Sequence, residues 1–333
     1  MIIALPVGAY DLKDEADLVE EDIRYVHYDI SGVTLAEIEV SLNTLGPTDM
    51  DGTRRWSDTE IAVNANSCER VRFEAKVTLP RLDSIWRRKL SLEDRLVYER
   101  MHTALLNHEM RHVDAARQHT EVMKVLGCKD IPRKLLDQFE TEAAQINERS
   151  DHGRRNGVNL DPNWAGPLGD LPRDDDLITE DVVYHSYKVG CRNLTDVLIG
   201  MRQDGPHGYW GYTRARTFKK KASCHMRLLA EITLPELSET AQNKFSRVER
   251  LEFLRMYTAL HSHELRHVDT SRRVAEQQAL LACPVLEHPL FQYIKQVDER
   301  LDKRSKNGRM QGLRLDVEVS DTWRSWWQRL VGM

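Results

Sequence analysis

HEMRHVD at 108–114 and HELRHVD at 263–269 are the stretches on which the reading of this chain turns. They lie 155 residues apart, and the same displacement carries VTLP (77–80) onto ITLP (232–235). From Asp114 to Asp161 and from Asp269 to Asp316 the match runs without a gap: Arg117 meets Arg272, Glu121 meets Glu276, Cys128 meets Cys283, Gly153 meets Gly308 and Gly157 meets Gly312. A register this consistent marks a tandem duplication. Upstream the displacement drifts by a few residues, as loops allow, while Gly32 with Gly190, Gly46-Pro47 with Gly205-Pro206, and Cys68 with Cys224 still correspond. Between the copies, GPLGDLPRDDD (166–176) is rich in residues that favour turns and solvation over packing. The expected organisation is an N-terminal segment at 1–20, a domain at 21–165, a linker at 166–180 and a second domain at 181–333.

Each copy has the same expected elements. β-Branched, alternating stretches such as Val71 to Thr78 and Leu228 to Thr233 predict a small sheet. A long helix follows, opened by Ser91 with Asp94 in the first copy and by Ser246 with Glu249 in the second, the spacing of an N-cap and capping box. Leu96, Met101, Leu105, Leu106 and Val113 recur at three- and four-residue intervals and give that helix an apolar face. A second helix, Leu135 to Arg149 or Leu290 to Arg304, ends near the shared glycines, which suit a C-cap. The predicted fold class is α+β, two tandem domains each made of a small sheet, the motif helix and a second helix.

At 3.6 residues per turn, His108 and His112 share a helix face one turn apart, as do His263 and His267. Two imidazoles so placed can bind one Zn²⁺, and Glu109 or Glu264 lies beside that face, where it could accept a proton from a water the metal activates. Zinc lowers the pKa of such a water to about 7 and polarises a carbonyl, which is the chemistry of peptide hydrolysis. The plainer reading is a chance H-E-x-x-H on a charged amphipathic helix, with the second match inherited from the first.

The third ligand decides between the copies. Ala115 and Gln118 stand where a metzincin needs Gly and His, so that class is excluded. His119 falls about 10 Å along the axis from His112, too far to share its metal, and is expected to be a solvated or core histidine. After the second helix come NERSDHG (147–153) and DKRSKNG (302–308). If the downstream position ligates, His152 completes a three-His site and Asn307 is a poor substitute; if the upstream position ligates, Asp302 serves and Asn147 does not. His152 is also open to reading as a plain loop histidine beside a glycine. The expectation is one zinc held by His108, His112 and His152, with a second site at His263 and His267 that is empty or weak.

The sequence resembles predicted bacterial secreted zinc-dependent proteases that share a conserved domain. The resemblance covers almost the whole of each copy and rests on YDISGVTLAEI (28–38) followed by Gly46-Pro47, the strand of Cys68, VTLP, the H-E-x-x-H helix, Cys128 and SDHGRRNG (150–157). It implies a zincin-like fold, Glu109 as catalytic base and His152 as a motif position near the metal. This sequence departs from the pattern at Asn307, at Asn147 where an acidic residue is usual, and at Arg111 and Arg266 where a small one is frequent.

The chain has 333 residues, 41% hydrophobic and 30% charged, with a net charge of -5. That is enough for two cores, and it offers no basic footprint for nucleic acid. No apolar run approaches the roughly 18 residues of a bilayer span. Met1 to Val7 is apolar but meets Asp11, Asp14 and Glu15, so it does not read as a signal peptide. Four of the five cysteines form equivalent pairs, which predicts disulfides Cys68–Cys128 and Cys224–Cys283 and leaves Cys191 over. The leading functional expectation is a secreted or periplasmic zinc metalloprotease acting on a protein or peptide, with Glu109 as base and the second domain degenerate. The alternatives are a binding or scaffold protein built from duplicated domains, a hydrolase acting on a different amide, and, for the compartment, a cytoplasmic protein with buried free thiols.

Overall fold

Val71, Phe73, Ala75, Val77 and Leu79 alternate with more exposed residues and bury one face of a strand. That face needs a cover, and the motif helix supplies it. The computed structural model describes residues 19–48, 52–67, 70–125, 128, 133–190, 192–219, 224–280 and 289–318. Among them the first unit runs β1 (Glu20–Ile30), α1 (Leu35–Leu45), β2 (Asp58–Ser67), β3 (Arg70–Leu82), α2 (Ser84–Lys89), α3 (Leu92–Val125) and α4 (Arg133–Ser150). The second repeats it as β4 (Ile178–Val189), α5 (Leu194–Asp204), β5 (Tyr212–Lys219), β6 (Met226–Leu237), α6 (Glu239–Lys244), α7 (Arg247–Leu280) and α8 (Pro289–Ser305). The chain is therefore α+β, with two similar units each carrying a small three-stranded sheet.

Both sheets have the same topology. The orders are β1-β3-β2 and β4-β6-β5, with the central strand parallel to the first and antiparallel to the other. Even the cross-links repeat: Tyr28 donates to the carbonyl of Trp56 at 2.7 Å, and Tyr187 to that of Trp210 at 2.6 Å. The long helices open as their caps predict. Asp94 N–H donates to Ser91 Oγ at 3.0 Å, and Ser246 and Glu249 close a reciprocal box at 2.9 and 3.2 Å. Leu96, Met101, Leu105 and Val113 are buried, with Leu106 partly so.

What the periodicity does not reveal is a second buried face, and it is polar. α3 and α7 pack against each other through Arg111, Asp114 and Gln118 on one side and Arg266, Asp269 and Arg273 on the other, and Asn107 donates to the carbonyl of Gln311 beyond α8. Arg266 Nε donates to Asp114 Oδ2 at 2.5 Å, and Arg111 reaches Asp269 in the reciprocal contact. Arg117 holds Glu21 of β1 at 2.5 and 3.0 Å, and Arg272 holds Glu180 of β4 at 3.0 Å and 2.5 Å, so each helix is also tied to its own sheet.

The connecting segment departs from the expected solvated linker. Asp170 is buried and ion-pairs with Arg111, Leu171 N–H donates to Arg149 O at 3.0 Å, and β4 begins at Ile178, inside the range assigned to the linker. Gly and Asp signal turns, but a carboxylate that pairs with a buried guanidinium is drawn inside. His119 is a core residue, stacked on Phe139 at 3.8 Å. Cys128 is disulfide-bonded, and its expected partner Cys68 lies outside the described residues. Cys224 is a free thiol, which corrects the expected second disulfide; Cys283 and Cys191 lie outside the described residues, as does the segment 1–18. Among the described residues no helix is long and apolar enough to cross a membrane.

Candidate metal centre

The motif histidines project from the middle of α3 and α7 toward the second helix of each unit. In the second unit His263 Nε2 lies 3.4 Å from His267 Nε2, and Asp302 Oδ1 of α8 lies 3.2 Å from the former and 3.3 Å from the latter. A zinc ion with bonds of about 2.05 Å at tetrahedral angles holds its ligand atoms about 3.3 Å apart. The three atoms thus have the spacing of one face of such a tetrahedron, and the residues fit the metal. Among the described residues this is the one group of three His, Cys, Asp or Glu side chains whose donor atoms all lie within 4.8 Å of one another.

Around that triangle the supporting contacts are complete. Gln311 Oε1 accepts from His263 Nδ1 at 3.0 Å, which turns the lone pair of Nε2 toward Asp302. Gln311 can do so because Gly308 and Gly312, with φ of 78° and 85°, fold the chain back beneath α7. Partial burial works to raise the pKa of Asp302, but the two facing imidazoles outweigh it and hold the carboxyl well below its usual range. Glu264 is buried beside His263, and Thr213 of β5 donates to its Oε2 at 2.7 Å. All of these groups except Gln311 face a cavity of about 530 Å³, the size of a ligand site, whose wall includes Tyr209, Trp210 and Arg309.

The first unit keeps the histidines and lacks the carboxylate. His108 Nε2 and His112 Nε2 are 3.4 Å apart, but the α4 residue facing them is Asn147, with Oδ1 2.9 Å from His108 Nε2. An amide oxygen carries no charge and makes a weak zinc bond; here it accepts a hydrogen bond instead. Burial depresses both imidazoles, His112 to about 4 with Arg111 adding to the effect, so the pair is neutral. Both oxygens of Glu109 are engaged as well. Ser57 donates to its Oε1 and Thr59 to its Oε2, the latter at 2.5 Å, and burial, only partly opposed by these bonds, pushes its pKa up to about 7.

His152, the expected third ligand, is exposed in the turn after α4 with φ of 51°. It borders the same cavity as His108 and His112 without joining them in a metal-sized cluster. The correction has a simple cause: the turn that carries His152 starts beyond the last residue of α4, whereas position 147 sits on the helix itself, facing α3. The complete donor set is in the second unit, the reverse of the expected assignment. Sequence reasoning weighed Asp302 but missed Gln311, Ser57, Thr59, Gly211 and Thr213. Aligning Trp56-Ser57-Asp58-Thr59 with Trp210-Gly211-Tyr212-Thr213 was the available signal for the last four.

A family described as "Bacterial protein of unknown function (DUF922)" matches residues 25–152 and again residues 184–311. The two matches fall on the two structural units and bear out the tandem duplication. No curated protein and no solved structure matches the chain.

Proposed function

The chain belongs to this family of bacterial proteins, and we propose that it is a zinc-dependent hydrolase of peptide bonds whose working site is the one in the second unit. The observation that carries the reading is the triangle of His263, His267 and Asp302, with sides of 3.2 to 3.4 Å, formed beside Glu264 in an open cavity. Bound zinc supplies a Lewis acid that activates a water and polarises the scissile carbonyl. The protein's own residues do the rest. Asp302 adds a negative charge that two neutral imidazoles lack, Gln311 fixes the His263 ring, and Glu264 takes the proton of the attacking water and can return it to the leaving amine. The zincin-like expectation is kept for the second copy, with Glu264 in the role first assigned to Glu109.

The first unit fits the alternative, non-catalytic reading, since Asn147 replaces the acidic ligand and both oxygens of Glu109 are occupied. One chain then holds one catalytic copy and one copy that serves it structurally. A protein or peptide is the proposed substrate, and the disulfide at Cys128 supports an extracytoplasmic setting.

The test uses the full chain, with elemental analysis and hydrolysis of fluorescein-labelled casein. About one zinc per chain is expected; Glu264→Gln should lose hydrolysis by about 100-fold or more while keeping the metal, and Glu109→Gln should retain both. A chain that takes up no zinc, or an active Glu264→Gln, would overturn the proposal.

A further inference from the structure

Glu109 and Glu264 occupy equivalent positions on equivalent helices, yet their carboxylates meet different walls. In the first unit the residue opposite is Ser57, just before β2, whose hydroxyl donates to Oε1 while Thr59 of β2 donates to Oε2. The second unit keeps the threonine, as Thr213 on Oε2, and has Gly211 in place of the serine. Gly211 is not there for its backbone angle. A Cβ at this position would stand 2.7 Å from Glu264 Oε1 and 2.8 Å from a Leu260 methyl, closer than real contacts come. The carboxylate oxygen fills the space a side chain would need. It makes no hydrogen bond to the described residues and borders the cavity that also holds His263, His267 and Asp302.

We infer that Gly211 is a positioning residue for the second site: by having no side chain it leaves Glu264 Oε1 open toward the metal triangle, whereas Ser57 caps the equivalent oxygen and silences the first site. The inference rests on the function proposed above and adds a second difference between the copies, independent of the missing ligand at Asn147. A carboxylate that accepts hydrogen bonds from two hydroxyls is a weaker base than one that accepts a single such bond, and the Ser57 side chain takes up one approach to Oε1. Glu109 is thus poorly placed to accept a proton. One glycine-for-serine difference therefore decides whether the glutamate acts as a base.

The test separates metal retention from base availability by using acetohydroxamic acid, which chelates zinc and needs a nearby carboxylate to receive its proton. On the zinc-loaded full chain, Gly211→Ser should keep one zinc and bind acetohydroxamate about tenfold or more weaker, matching Glu264→Ala, as expected for loss of one charge-assisted hydrogen bond. Its kcat on casein should fall while KM stays within about twofold, since only a transition-state interaction is removed. The reciprocal comparison does not depend on Gly211→Ser folding. Asn147→Asp alone should acquire a second zinc and bind its second equivalent of acetohydroxamate about tenfold or more weaker than its first, and Asn147→Asp with Ser57→Gly should bind both with similar affinity. Acetohydroxamate affinity unchanged in Gly211→Ser, or a zinc loss in that variant together with a second equivalent bound no tighter in the double variant than in Asn147→Asp alone, overturns the role of Gly211 alone. A wild-type chain that takes up no zinc removes the underlying function as well.

Discussion

Arg111 of the first motif lays its guanidinium along the carboxylate of Asp269 in the second, Nε to Oδ2 at 2.6 Å and Nη2 to Oδ1 at 3.1 Å, with both side chains almost fully buried. The Arg that follows the glutamate and the Asp that follows the second histidine are thus the two halves of a clasp between the repeats. Removing this carboxylate leaves Arg111 only Asp170 and Arg272 only Glu180 in the buried network, so Asp269→Ala should cost about 3 kcal/mol. Urea unfolding measures it; a loss below about 1 kcal/mol would mean that Arg111 and Arg272 find water or other partners. The same clasp implies that neither repeat, expressed alone, is stable, because each would expose it.

Metal content should follow Asp302. Asp302→Asn reproduces the chemistry of Asn147 and should empty the site, while His152→Ala should leave zinc stoichiometry unchanged, both read by elemental analysis after dialysis against a chelator. Zinc lost in His152→Ala and kept in Asp302→Asn would restore the assignment that the sequence favoured.

Gln311→Ala removes the acceptor for His263 Nδ1 and frees the ring to turn. Zinc affinity should fall by about 10- to 100-fold, as for other residues that orient a ligand. Competition with a chromophoric chelator gives the number, and a wild-type affinity would show that packing against Gly308 alone holds the ring.

Glu109 should leave its mark on stability as a function of pH. Burial raises its folded-state pKa from 4.5 to about 7, so the folded protein holds this proton more tightly than the unfolded chain. The associated stability is complete below pH 4.5 and is lost as pH rises through about 7. Relative to wild type, Glu109→Gln should therefore gain stability between pH 5 and 8 by up to about 3 kcal/mol, on top of a constant offset from its altered bonds to Ser57 and Thr59. A difference independent of pH would show Glu109 to be ordinarily acidic.

The duplication, the α+β class, the capped motif helices and the paired histidines were legible in the sequence, because each depends on spacing along one element. His108 and His112 share a face by helix geometry alone, and Ser91 or Ser246 caps by its place in the chain. Which copy holds a complete ligand set was not legible, since it turns on whether position 147 or position 152 faces α3. That depends on where α4 ends and how it packs, and the structure brings the helix position inward and leaves the turn outside. The polar interface was hidden for a related reason. Hydrophobic periodicity detects apolar faces, whereas Arg111, Asp114, Arg266 and Asp269 are buried only because each meets its counterpart from the other repeat. Gly211 and Ser57 differ by a side chain whose consequence exists only where the chain, just before β5 and β2, passes the glutamates, a contact made between residues about 50 positions apart. The sequence by itself determined the elements and the chemistry they could carry; tertiary packing decided which of the two copies has its ligands and its base free to use it, because only packing sets what stands opposite each side chain.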